Sequence, residues 1–404
     1  MTQIDRLDTL YKKNFSKMVS GLVRNLGISE IAIAEDIVQE TFVAAQKSWH
    51  KEWPKDPEAW LFKVCKNIAL KNERDRKEAT FESEPDHSEN LEEANFSQSD
   101  TLNILIACAH PRFSPKQQVI FALRYAAGLR IDQIATVLGS PYETIVKILQ
   151  RLRTILIDEN IKLQFDQNHV PAATKLILVK ILYLMFNEGY KASHGKSILN
   201  IALCEDALSM TQAMVRDKAF TAPEAQALYS LMLFNLSRFD ARFDKDGNLI
   251  DLESQDRSLW NSDIITLATN QLANCKTDNP SAYHIEAMIA YLHCVAPSFK
   301  STDWKKIVSL YSKLVVINPS PFVELNWAIA KYYTGERLAA IDHLRKLEKI
   351  AFINNYHLFH VAMGKILSET DIDKGVDHLK KANHLAPHPA EKNYIKGLIS
   401  NLKG

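Results

Sequence analysis

The sequence predicts an all-α protein, and three observations carry that expectation. Apolar residues recur at steps of three and four along nearly the whole chain. Only 12 glycines fall among 404 residues, and the 14 prolines are scattered, so few positions interrupt a helix. The expected order is a small helical domain (1–77), an acidic tether (78–100), a second helical domain (101–163) and a long helical extension (164–404) built from stacked pairs with a small inserted hairpin. A chain of this length has room for two or three domains, each with its own core.

In the first domain, Ala34 to Phe42 reads as an amphipathic helix. Ile37, Val38, Thr41 and Ala45 share one face and point to a core. Asp36, Gln39, Glu40 and Val43 share another, with Phe42 beside them. An acidic, amide-bearing face next to an apolar residue suits a basic partner helix, although the pattern alone also describes a solvated face. About twenty residues on, Asp56 and Pro57 open a second helix as cap and first residue. Leu61, Val64 or Cys65, and Ile68 form its inward stripe. Trp60, Lys63, Asn67, Lys71 and Arg74 lie along one line of its surface. Cations that track phosphates, an aromatic ring that can stack on a base and an amide that can read a base edge together suit single-stranded nucleic acid. Trp60 equally suits a core anchor, and the lysines a solubilising face.

These two motifs, AEDIVQETF and PEAWLFKVCKNIAL, in this order and at this distance, resemble region 2 of the extracytoplasmic-function sigma factors of bacterial RNA polymerase. The resemblance implies that Asp36, Gln39, Glu40 and Phe42 bind core RNA polymerase through its beta-prime and beta subunits. It also implies that the helix with Trp60, Lys63, Asn67, Lys71 and Arg74 engages and melts the downstream promoter element. After Asn67-Ile68-Ala69 the run is Leu70-Lys71-Asn72-Glu73-Arg74, where many family members have an Asp-Arg-Leu-Arg-like run.

Net charge is +1 and says nothing about nucleic acid, but the local pattern does. Six basic and two acidic residues lie between Lys63 and Lys77, eight acidic residues and no Lys or Arg between Glu78 and Asp100, and seven basic against two acidic between Arg112 and Arg153. Two basic blocks on an acidic tether suit a protein that grips DNA at two places. In the second domain Ser114 caps a helix that Gly128-Leu129 breaks. Ile131 to Gly139 reads as a support helix, Ser140-Pro141 as a turn, and Tyr142 to Leu156 as a basic recognition helix. IDQIATVLGSP and Thr144 resemble region 4 of the same family. That assigns the upstream promoter element to Tyr142, Thr144, Lys147, Arg151 and Arg153. Val146-Lys147-Ile148 stands where a Lys-Ser-Arg-like run is usual.

In the extension, Pro319 and Pro387 lie 68 residues apart, twice the ~34-residue tetratricopeptide period. Ala328 to Tyr332 and Ala362 to Ile366 read as first helices of a pair, and Leu338 to Leu347 and Lys374 to Ala382 as second helices. Asp246-Gly247 between alternating residues predicts the hairpin. LMFNEGY, with Asn187, Glu188 and Tyr190, and the segment with Gln255, Asp256, Arg257 and Trp260 resemble the subgroup of these sigma factors that carries a fused, tetratricopeptide-like extension. The resemblance implies a controlling role for the extension; a protein or peptide is the expected ligand of the concave surface that stacked pairs build. The same polar residues equally suit a buried network that holds the extension together.

Five scattered cysteines form no CxxC pair, which suits reduced cytoplasmic thiols. Met1 to Lys13 lacks the apolar segment of a signal peptide, and the most apolar run, Leu176 to Phe186, is too short to cross a bilayer. His357 and His360 lack the Glu of a metalloprotease helix, and no phosphate loop or GxSxG is present. No enzyme, cofactor or metal is expected. The reading is an alternative sigma factor with core RNA polymerase and promoter DNA as partners. Its rival is a tetratricopeptide scaffold with a degenerate sigma-like half.

Overall fold

The structure, a computed structural model, describes residues 3–49, 52–79, 104–110, 112–138, 140–159, 170–191, 199–275 and 277–403. Among them every element is helical, and no strand forms. The tether predicted over 78–100 lies, beyond residue 79, outside the described residues, as does Gly139. The chain divides into two compact units, one of residues 1–191 and 200–221, the other of residues 192–199 and 222–404.

The first unit opens with α1 (Gln3–Leu26), α2 (Ile31–Ser48) and α3 (Pro57–Ala79), which pack on one another. Asp56 caps α3, accepting from the Ala59 N–H at 3.0 Å, as its position before Pro57 predicts. Leu61, Cys65 and Ala69 form the buried stripe of α3. Ile68 is only half-buried, one residue out of phase with the sequence-based stripe. Next come α4 (Pro115–Phe121), α5 (Ile131–Val137) and α6 (Tyr142–Asp158). Ser114 and Gln117 close a reciprocal capping box at the start of α4. A π-turn over Ala122–Ala126 and Gly128 at φ 67° end that helix.

Two helices of the extension, α7 (Ala172–Tyr190) and α8 (Ile201–Arg216), belong to this same unit, and α7 packs on α4. The apolar run inside α7 is what makes it a core helix: Leu178, Val179, Ile181, Leu182, Met185 and Phe186 are buried. Gly189 lets α7 and α8 touch. A Cβ there would lie 2.8 Å from both the Cys204 backbone nitrogen and its sulfur. Gly189→Ala is therefore expected to destabilise the unit by about 1–3 kcal/mol, seen as a fall of about 2–4 °C in Tm for each kcal/mol.

The second unit runs from α9 (Pro223–Leu236) through α10 (Ser262–Asn274), α11 (Ala282–Val295), α12 (Trp304–Ile317), α13 (Pro321–Tyr333), α14 (Arg337–Leu347), the short α15 (Ala351–Asn354), α16 (His357–Leu367) and α17 (Ile372–Leu385) to α18 (Pro389–Lys403). Asp303, Ser320 and Asp371 cap α12, α13 and α17 with side-chain oxygens. Successive helices pack in sequence, and Leu325, Ala328, Tyr332, Leu344, Phe359 and Met363 share one core across α13, α14 and α16. The predicted hairpin contracts to a single antiparallel bridge, Phe243 with Leu249. Asp244 shapes the tip. Its carboxylate takes the N–H groups of Asp246 and Asn248 at 2.9 and 2.8 Å, and Gly247 turns the chain at φ 78°. These side-chain bonds add to the backbone bonds from the Asp244 N–H to the Asn248 carbonyl at 3.0 Å and from the Ile250 N–H to the Arg242 carbonyl at 2.8 Å.

Candidate nucleic-acid interface

On α2 the predicted faces separate cleanly. Ile37, Val38, Thr41 and Ala45 are buried, whereas Asp36, Gln39, Glu40 and Val43 are exposed. Phe42 corrects the expectation. It is 7% exposed and packs edge-on against Tyr11 at 5.0 Å. It lies four residues after Val38 and next to Thr41, so a buried stripe of ordinary width takes it in. Gln39 donates to Glu35 Oε1 at 3.1 Å, while its helix face stays in solvent.

Glu35 is the residue that sequence reasoning missed. It is 2% exposed, yet carries a charge. Arg124 clamps Oε1 through Nε at 3.1 Å and through Nη2. Tyr125 donates its hydroxyl to Oε2 at 2.9 Å, and Arg153 Nη2 donates to the same oxygen at 2.5 Å. Arg153 Nε also donates to the Tyr125 hydroxyl at 3.1 Å, and Arg124 Nη1 donates to the Leu129 carbonyl at 2.8 Å. Arg124 lies over the Phe15 ring at 4.4 Å. Burial alone would raise the Glu35 pKa, but the Arg124 and Arg153 charges outweigh it and hold the carboxyl below the ordinary range. The network joins α2 to the π-turn and α6, and an exposed ion pair of Arg130 with Asp8 adds a second tie. One signal was available in the sequence: Glu35 stands between Ile31 and Val38 at core phase, and a carboxylate there needs a cation to be buried.

Along α3, Lys63, Asn67, Lys71 and Arg74 are exposed on the predicted line. Trp60 is half-buried. It meets Trp49 edge-on at 5.1 Å, and Trp49 in turn meets Trp53 at 4.9 Å. The ring therefore serves partly as the anchor that its spacing also allowed.

On α6, Ile145, Leu149, Leu152 and Leu156 are buried. Tyr142 is 51% exposed, Lys147 and Arg151 are exposed, and Thr144 is half-buried. Arg153 departs from the sequence reading. It is turned into the Glu35 network, because its position four residues after Leu149 borders the buried stripe.

The extension motifs fall in separate units. Asn187 is exposed and Glu188 half-buried on α7, with Tyr190 stacked on Phe186 at 5.8 Å. In the second unit Asp246 is exposed and Gln255 Nε2 donates to the Ile250 carbonyl at 3.2 Å. Asp256 caps a single turn through the Ser258 N–H at 2.9 Å. Arg257 donates to the carbonyls of His293 and Ala296 at 2.5 and 2.7 Å and lies over buried Trp260 at 4.4 Å. Lys365 bridges Asp251 and Glu253, both at 2.8 Å, and Tyr394 donates to Asp251 at 2.7 Å. Gln255 to Trp260 thus ties α11 to the inserted segment.

Residues 13–78 match the Sigma-70 region 2 family, and residues 177–276 match a Family of unknown function (DUF6596). The N-terminal part is therefore a domain of non-enzymatic transcription factors and supports a sigma-factor-like role in promoter recognition and RNA polymerase binding. The chain is 30% identical over 386 residues, 92% of its own length and 90% of the other's, to Uncharacterized protein R00370 of Rhizobium meliloti (strain 1021). It belongs to the family which that protein represents. No solved structure matches the chain. Among the described residues no helix is long and apolar enough to cross a membrane.

Proposed function

We propose that the chain is an alternative sigma factor of the extracytoplasmic-function type. In this reading α2 seats region 2 on core RNA polymerase, and α3 engages and helps open the downstream promoter element. The pair α5 and α6 acts as region 4, a helix-turn-helix on the upstream element. The tetratricopeptide-like extension controls activity. RNA synthesis belongs to the polymerase, and this chain acts by binding it and the promoter.

The observation that carries the reading is the pairing, within residues 13–78, of an exposed acid and amide face (Asp36, Gln39, Glu40) with an exposed line of Lys63, Asn67, Lys71 and Arg74. The first suits a basic helix of a large partner, and the second suits a phosphate backbone beside unstacked bases. Arg153 is held by Glu35 in a closed arrangement, while Tyr142, Lys147 and Arg151 stay exposed on the same helix.

The test is transcription in vitro with core RNA polymerase and fragments of the source genome. Discrete starts that share an upstream and a downstream element are expected. Reversing Asp36 and Glu40 together to lysine should weaken core binding by about 10–100-fold, or ~1.4–2.8 kcal/mol, measured by surface plasmon resonance. The engagement of Arg153 inside the protein favours one rival, a scaffold whose DNA-reading helix is degenerate. Core binding without promoter-specific starts would support that rival; starts would exclude it.

A further inference from the structure

We propose that Glu348, His360 and His378 form a binding site for a divalent transition-metal ion, zinc first, in the C-terminal unit. A carboxylate oxygen of Glu348 and one ring nitrogen of each histidine lie within 4.8 Å of one another. They come from the end of α14, from α16 and from α17, so nothing in their sequence spacing joins them.

The local hydrogen bonds prepare one imidazole as a ligand. His360 Nε2 lies 2.9 Å from the Asn354 carbonyl. A carbonyl only accepts, so Nε2 carries the hydrogen and Nδ1 keeps its lone pair. An outer hydrogen bond of this kind, from the far nitrogen to a backbone carbonyl, is what fixes a metal-binding histidine. His360 Nδ1 faces His378 Nδ1 at 2.9 Å, and the two rings are stacked with centroids 5.2 Å apart. Without an ion, His378 Nδ1–H donates to His360. With an ion, His378 takes its other tautomer and both Nδ1 lone pairs converge, with no net loss of a proton from the pair.

The dimensions fit a small ion. Bonds of about 2.0–2.1 Å at a tetrahedral angle put neighbouring donors about 3.3 Å apart. The two nitrogens need to separate by a few tenths of an ångström, and the half-buried Glu348 side chain needs to swing inward. Burial lowers the pKa of both histidines, which favours the neutral rings that a metal requires, and outweighs the Glu348 charge, which acts in the opposite sense on each. Two imidazoles and one carboxylate leave a fourth position for water, a donor set that suits zinc. The bound ion would cross-link α14, α16 and α17. Exposed Lys381, whose ammonium donates to Asn354 Oδ1 at 2.6 Å, opposes the cation and can swing into solvent.

The experiment uses the full chain, stripped with a chelator, kept reduced and titrated with zinc by calorimetry, with Tm followed in parallel. One zinc per chain with a raised Tm is expected. His378→Gln, half-buried and able to hydrogen-bond His360, should lower affinity at least 100-fold and abolish the Tm shift. Glu348→Gln should lower it about 10-fold, and Lys381→Gln should raise it severalfold. Cobalt in place of zinc should give the visible absorption of a tetrahedral site in the wild type and not in His378→Gln. No zinc uptake, or uptake unchanged in His378→Gln, would overturn the site.

Discussion

Glu35→Ala is expected to destabilise the N-terminal unit by about 3–5 kcal/mol, read as a lowered urea midpoint and Tm. The size follows from what is left behind. Arg124 is as buried as Glu35 and would lose the partner that compensates its charge, while Tyr125 would lose an acceptor in a closed site. The loss therefore includes the cost of a buried, unpaired guanidinium as well as the missing attraction. A double-mutant cycle with Arg124→Met separates the two contributions. The double variant should recover part of the stability, because no buried guanidinium at position 124 is then left without its carboxylate, while Tyr125 and Arg153 still lack their acceptor.

The same network gives a pH dependence with a definite sign. The folded-state pKa of Glu35 lies below the ordinary value, so its stabilisation is present above the unfolded carboxylate pKa of about 4.3 and is lost as pH falls through the lowered folded value. Acid unfolding should thus be steeper in the wild type than in Glu35→Gln below about pH 4. If the closed arrangement restrains the DNA-reading helix, Glu35→Gln should also raise transcription relative to the amount of folded protein. Unchanged transcription would separate the structural role of the network from a controlling one.

The second large effect concerns α3. Replacing Lys63, Lys71 and Arg74 together with alanine should leave stability almost unchanged, within about 0.5 kcal/mol per site, because all three are exposed. Binding to a single-stranded or partly opened promoter fragment should weaken by about two to three decades at 0.1 M salt. Each lost phosphate contact removes about 0.7–0.9 from the slope of log K against log salt, so three remove about 2–3. A salt slope unchanged in the triple variant would place the nucleic acid elsewhere. Trp60→Ala is the poorer test, since the ring also packs on Trp49 and its loss would disturb the fold.

Much of this protein was legible without its structure. The start of α3 at Asp56-Pro57, the capping box at Ser114, the turn at Gly128 and the exposed faces of α2 and α3 all follow from neighbours three or four residues apart. Helical periodicity is a local property, and it divides core from surface wherever the apolar stripe is narrow. At the borders of that stripe the reading slipped by one residue, as with Phe42, with Ile68 against Ala69, and with Arg153.

The sequence by itself therefore determined the all-helical class, the exposed faces of α2 and α3, and the sigma region 2 likeness of the N-terminal part. The tertiary structure alone decided which helices share a unit, so that α7 and α8 of the extension sit with the first six. It alone decided that Glu35 meets Arg124 and Arg153, 89 and 118 residues away, and that His360 meets His378. The reason is physical. A cap or a turn is satisfied by atoms a few bonds distant, but a buried charge or a lone pair is satisfied by whatever the packing brings to it, and no spacing along the chain records that choice.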